Sequence, residues 1–166
     1  DWAEHRQCQL SIAALSGYYH QFWRRNLPVD IVHEERLTAA KLARYRLVIL
    51  PTPTALAEPT VALLSGYVAG GGHLFSDPYL CALTPNKELD TVVPWRVLAE
   101  LFGCRESDIR RAEKEVELTL TDGRRGVVRG SHFRASWTPG HGGEVVARYS
   151  DGQPAIVARD HGRDWR

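Results

Sequence analysis

The sequence predicts an α/β fold, one domain in which residues 1–114 carry a mainly parallel sheet and residues 115–166 add a strand-rich, antiparallel extension. Three observations lead to it. Leu47-Val48-Ile49-Leu50 is an uninterrupted apolar run of strand length that stops at Pro51, the pattern of a strand buried on both faces of a parallel sheet. A helical pattern and then Gly70-Gly71-Gly72 separate it from a second run, His73-Leu74-Phe75-Ser76, so 45–77 reads as strand, crossover helix and parallel strand. After Glu115 the period changes to two, because Val116, Leu118 and Leu120 alternate with polar residues before Asp122-Gly123, a hairpin signal.

In chain order, a helix is predicted over 4–25, with Leu10, Ala14, Tyr18 and Phe22 on one face and Ile12, Leu15, Tyr19 and Trp23 widening it. Arg24 and Arg25 in its last turn, Asn26 suited to a left-handed cap, and Pro28 beyond mark its end. Residues 29–32 read as a short strand that joins 47–50 and 73–76 in the parallel sheet, and Thr38 caps a short helix through Leu42. Pro59 suits a first helical position, Glu58 lies near the positive end of the dipole, and Val61, Leu64 and Val68 recur at helical spacing, which gives a helix over 59–69. The glycines at 70–72 follow that helix instead of opening one, so they read as a C-cap and not as a phosphate cradle. Residues 78–94, with Pro78, Pro85, Asn86 and Pro94, read as an irregular surface stretch. A helix over 94–102 follows, with Val97, Leu98, Leu101 and Phe102 apolar and Gly103 closing it. Strands at 144–149 and 154–159 are joined by Ser150-Asp151-Gly152, a second turn signal. The chain opens almost directly in a helix, where such a sheet begins with a strand, and it stops just after its last one; it therefore reads as an excised domain.

Composition narrows the function classes. A net charge of +1 over 166 residues gives no electrostatic pointer to nucleic acid or to a membrane surface, and no apolar run approaches the length of a bilayer span. Cys8, Cys81 and Cys104 are widely spaced and odd in number, which reads as reduced thiols and a cytoplasmic setting. The seven histidines form no His-x-x-x-His or His-Glu-x-x-His pair, so no metal site and no cofactor are expected. His141 sits among the glycines of 140–143, a sequence suited to a mobile loop. Glu34-Glu35 reads as a solvated pair before it reads as an acid and base. In doubly wound sheets sites gather at the C-terminal ends of strands, yet the turn after 73–76 offers Ser76 and Asp77 with no glycine-flanked nucleophile, and Cys81 lies too far along. Ser76 and Asp77 are thus candidates for a polar site, with a turn or cap role as the alternative. No catalytic residue is assigned. Tyr18, Tyr19, Phe22 and Trp23 form an aromatic group that is either part of a contact surface or part of the core.

Longer stretches carry a resemblance. Gly17-Tyr18-Tyr19 through Leu27-Pro28-Val29-Asp30-Ile31-Val32, then 45–51, then Tyr67-Val68-Ala69-Gly70-Gly71-Gly72-His73-Leu74 resemble the middle domain of family 42 glycoside hydrolases, which are β-galactosidases. The segment Val145 to Val157 is similar to the closing part of that domain. The resemblance implies a flavodoxin-like, class I glutamine amidotransferase-like three-layer sandwich without catalytic residues. It further implies a trimerisation domain of a β-galactosidase that hydrolyses terminal β-galactosides, with a homotrimer as the assembly and a preceding barrel domain of the same parent chain holding both catalytic glutamates. A stand-alone amidotransferase-like enzyme and a small-molecule or sugar-binding module using the strand ends remain as alternatives.

Overall fold

The computed structural model describes residues 2–83, 91–112, 115–129 and 133–161, with side chains from Ser11 onward. The expectations for the side chains of Cys8 and Leu10, and for Pro85 and Asn86, lie outside these residues. The chain divides into two compact units, Asp1–Asp77 and Pro78–Arg166.

The first unit runs through α1 (Trp2–Trp23), a 3-10 turn (Glu34–Arg36), α2 (Ala39–Leu42), β1 (Leu47–Leu50), α3 (Glu58–Ala69) and β2 (His73–Ser76). Both long helices stop for the same physical reason. Asn26 (φ 54°) and Gly71 (φ 94°) take left-handed backbone, and the residue after each returns its N–H to the helix, Leu27 to Phe22 O at 3.1 Å and Gly72 to Tyr67 O at 3.0 Å. Gly72 has a second reason to be glycine, since a Cβ there would stand 2.2 Å from the Tyr67 ring. Thr38 Oγ1 accepts the Lys41 N–H at 3.2 Å and starts α2, and Pro59 sits in the first turn of α3. β1 and β2 pair in parallel, from Leu47 opposite His73 to Leu50 opposite Ser76. Leu42, Leu50, Val61 and Leu64 are buried in this unit.

The second unit holds α4 (Arg96–Phe102) and six strands: β3 (Cys104–Arg111), β4 (Val116–Leu120), β5 (Arg125–Val128), β6 (Phe133–Pro139), β7 (Gly143–Tyr149) and β8 (Pro154–Arg159). β3 pairs with β6, and β5-β4-β7-β8 form a four-stranded sheet. Side chains tie the two sheets together: the Trp137 indole N–H of β6 donates to Ala155 O at 3.2 Å, and the Tyr149 hydroxyl of β7 donates to Ala135 O at 2.8 Å. Leu98, Ala99, Cys104, Val116, Ala135 and Ala147 are buried. Carbonyls at the end of α4, which lack intrahelical donors, are met by the Arg159 guanidinium at Glu100 O and by His161 Nε2 at Leu101 O, 2.8 Å. The run 140–143 is a tight hydrogen-bonded turn in which the Gly143 N–H reaches Gly140 O at 3.1 Å, not the loop expected from its glycines.

The fold corrects the expected class. A flavodoxin-like, amidotransferase-like three-layer sandwich with a mainly parallel sheet is not present: β1–β2 is the single parallel pairing among the described strands, and β3 to β8 pair antiparallel throughout. No strand forms over 29–32. Val29 and Ile31 are exposed there, and Asp30 instead accepts the Tyr45 hydroxyl at 2.8 Å. Nor is the central run buried on both faces, since Leu47 of β1 and Phe75 of β2, which pairs with Ile49, are exposed at 44% and 39%. Antiparallel pairing fills the second unit in two sheets, and its first strand is β3, whose sequence Cys-Arg-Glu-Ser-Asp-Ile-Arg-Arg gives no alternating signal. The reason is a register shift between Glu106 and Asp108, which breaks the period of two, together with a half-buried glutamate where an apolar residue would mark the inward face.

Candidate functional site

The aromatic group of α1 is divided by the fold. Ala14, Leu15, Tyr18 and Phe22 are half-buried, whereas Ile12, Tyr19 and Trp23 are exposed at 57%, 39% and 65%. The spacing of the exposed three, i, i+7 and i+11, places them in one stripe along the helix. The apolar exposure continues past the cap through Leu27, Val29 and Ile31. Among the described residues, half of the exposed large apolar side chains therefore fall between 12 and 31. Sequence periodicity found the aromatic group but did not separate its outward members from its inward ones, and Ile12 was missed as part of the outward stripe.

The other two candidates, Ser76 and Asp77, sit at the C-terminal end of β2. The Ser76 hydroxyl lies 3.1 Å from Asp77 O and 3.4 Å from Leu50 O, a backbone-bracing role. Asp77 does more. Its Oδ1 accepts the Tyr18 hydroxyl from α1, and Thr52, which follows β1, also favours the ionised carboxylate. The Tyr18 ring meets Phe75 edge-on at 6.0 Å. Thr52 stands in left-handed backbone, φ 45°, between Pro51 and Pro53. That conformation is uncommon for a β-branched residue, and it persists where surrounding bonds fix it. The stretch Pro51 to Thr54 counts among the strand ends where sites gather, but the sequence does not single out Thr52; a threonine between two prolines after a strand is its local signal.

Burial shifts both titrating groups of this site. It raises the Asp77 carboxyl above the usual range, against the Tyr18 and Thr52 hydrogen bonds that pull it down, and it raises the Tyr18 phenol, with the hydrogen bond to Asp77 and the Asp77 charge adding to the rise. For an acid whose folded value is raised, the folded state holds the proton longer, so stability is fully present below the unfolded value and falls as pH rises through the folded one. The Asp77 contribution accordingly starts to decline above about pH 4 and the Tyr18 contribution above about pH 10. Urea midpoints of the natural chain and of Asp77→Asn should diverge as pH rises above about 4, with the natural chain losing ground. Convergence over that range would contradict the assignment.

Remaining chemical candidates are absorbed structurally. Glu34 Oε1 accepts the Ala57 N–H at 3.0 Å, at the start of α3, and Glu35 faces His33 at 3.7 Å on the surface, so the two carboxylates do not act on a common point. Cys104 is buried, and burial pushes its thiol up to about 11, far from thiolate at neutral pH. Among the described residues no group of three or more His, Cys, Asp or Glu side chains is placed to hold a metal ion, and no helix is long and apolar enough to cross a membrane.

The family described as the β-galactosidase trimerisation domain matches residues 2–166. The chain belongs to that family. As a trimerisation domain it has relatives in β-galactosidase GalA of Bacillus licheniformis, 32% identical over 90 residues, and GanA of Bacillus subtilis, 29% identical over 90 residues. Each alignment covers 54% of this chain and 13% of the relative, so the domain spans a small part of those proteins. Among solved structures, the β-galactosidase from Bacillus circulans sp. alkalophilus superposes with a TM-score of 0.79 at 19% identity, covering 92% of the domain and 23% of that chain. A catalytic mutant of Gan42B, a β-galactosidase from G. stearothermophilus, gives 0.71 at 22% identity over 88% of the domain and 20% of that chain. An exo-β-1,4-mannosidase from an Opitutaceae bacterium gives 0.60 at 17% identity over 90% of the domain and 24% of that chain. At these identities the superpositions show a shared fold. That one of them is a mannosidase means the fold by itself does not specify a galactoside.

Proposed function

We propose that this domain is the non-catalytic assembly segment of a cytoplasmic β-galactosidase, bringing three copies of the parent chain together while a barrel domain of the same chain hydrolyses terminal β-galactosides. The observation that carries the reading is the Ile12-Tyr19-Trp23 stripe of α1, an apolar surface in a chain that belongs to a trimerisation family. A closed ring of three requires a heterologous contact, one patch against a different one, and the stripe supplies the first patch. The names of the relatives support the galactosidase activity, and the buried Cys104 thiol fits a reducing compartment. An amidotransferase-like enzyme is disfavoured because Asp77 is engaged by Tyr18 and Thr52, and Cys81 is buried at 2% exposure.

Light scattering on the full-length protein at micromolar concentration is expected to give the mass of a trimer, and a strict monomer would overturn the proposal. The domain expressed by itself is expected to turn over neither a chromogenic galactoside nor glutamine. Retaining glycoside hydrolysis needs two carboxyl groups about 5 Å apart across a cleft of sugar size. Turnover lost on changing Asp77 or Cys81 would likewise count against the assembly role.

A further inference from the structure

The assembly stripe and the strand-end site belong to the same helix, and Tyr18 joins them. Among the described residues, the hydrogen bond and the ring contact that tie α1 to the ends of the parallel strands both come from Tyr18, to Asp77 and to Phe75. Tyr19, the next residue, faces outward, and Trp23 lies one helical turn beyond it. Fixing the azimuth of Tyr18 fixes theirs, because neighbouring residues on a helix are separated by a set angle of about 100°. The carboxylate that receives Tyr18 directly follows β2, so the rotation of α1 is set from the end of the parallel pair.

We propose that Asp77 is the positioning residue of the assembly surface: by accepting the Tyr18 hydroxyl it sets the rotation of α1 that presents Ile12, Tyr19 and Trp23 to a neighbouring copy. The role rests on the assembly reading above for its consequence, but the clamp itself is a property of one chain. Removing the phenol hydroxyl or the carboxylate leaves α1 without its hydrogen bond to the strand ends, and the stripe loses its fixed orientation. Orienting a contact surface through a bond behind it is the general requirement of a preorganised site.

Three variants of the full-length protein test this, read by amide hydrogen exchange over residues 12–23 and by the dilution at which the assembly dissociates. Tyr18→Phe keeps the ring against Phe75 and removes only the hydroxyl. It is expected to speed exchange over 12–23 at least about tenfold, the effect of losing one hydrogen bond to a charged group, and to raise the dissociation concentration by a similar factor. Asp77→Ala should do the same. Asp77→Asn, whose Oδ1 still accepts, should restore both readouts towards the natural values. If Tyr18→Phe and Asp77→Ala leave exchange over 12–23 unchanged, or if Asn behaves like Ala, the positioning role is wrong. A full-length protein that is monomeric from the outset would instead refute the assembly reading, while the exchange data would still decide the clamp.

Discussion

Replacing Gly143 by alanine is expected to lower the unfolding free energy by at least about 3 kcal/mol, the upper range for forced overpacking. The cause is local and steric. A Cβ at 143 would stand 1.9 Å from the carbonyl oxygen of Gly103, a backbone atom that cannot turn aside as a side chain would. The carbonyl is also held in place, because it accepts the Gly140 N–H at 2.7 Å, and Gly103 is itself in left-handed backbone at φ 66°. Relief would require moving the end of α4 or the 140–143 turn, and each movement breaks a bond already made. Gly126 serves as the control. A Cβ there meets nothing within 4 Å, so Gly126→Ala should stay within about 0.5 kcal/mol of the natural chain. Urea unfolding of both variants measures the difference, and equal midpoints would show that the approach of the two backbones is looser than described.

The double substitution Tyr19→Ser and Trp23→Ser in the full-length protein is expected to dissociate the assembly at micromolar concentration. Two large aromatic side chains removed from a contact cost about 2 kcal/mol or more each when they are its anchors, and that sum corresponds to roughly a thousandfold in dissociation constant. The fold should survive, because both side chains are exposed in the single chain and the core of their unit is built from Leu42, Leu50, Val61 and Leu64. Val127→Ser is the matched control, an apolar residue 60% exposed on β5 in the other unit. An assembly that persists after the double substitution and falls apart with Val127→Ser would move the working surface from α1 to the antiparallel sheet.

Local chemistry was legible in the sequence wherever one residue type decides a conformation. Asn26 before Pro28, Thr38 before the short helix, Pro59 in the first turn of α3, and Asp122-Gly123 and Asp151-Gly152 between strands each stand where the sequence placed them. The strand, helix and parallel strand over 47–76 followed from the same kind of signal. What failed was the inference from one parallel pair to a parallel sheet. A run such as Val29 to Val32 has the composition of a strand, but pairing is a tertiary property, and these residues lie exposed instead. β3 failed in the opposite direction. Its inward positions include Glu106, half-buried with its carboxylate accepting the Tyr79 N–H at 3.1 Å, so the strand reads as polar although its residues pair along its length with β6. At the site, Asp77 could be picked out by its place after a strand, but Thr52 and Tyr18 could not be joined to it, because their meeting depends on how α1 lies against the strand ends.

The turn between β4 and β5 offers a practical opening. Gly123 sits at its tip in left-handed backbone, φ 85°, with nothing within 4 Å of where a side chain would begin. The strands on either side are fixed by their own register, Val116 opposite Val128 to Thr119 opposite Arg125. Lengthening a loop whose ends are already held costs only about 0.6 kcal/mol for each doubling, so an inserted peptide at this tip leaves the ladder intact. A fluorophore or epitope carried there reports from the second unit, whereas the aromatic stripe belongs to the first. It makes the hairpin tip a handle for following subunit exchange between differently labelled copies without altering any residue of α1.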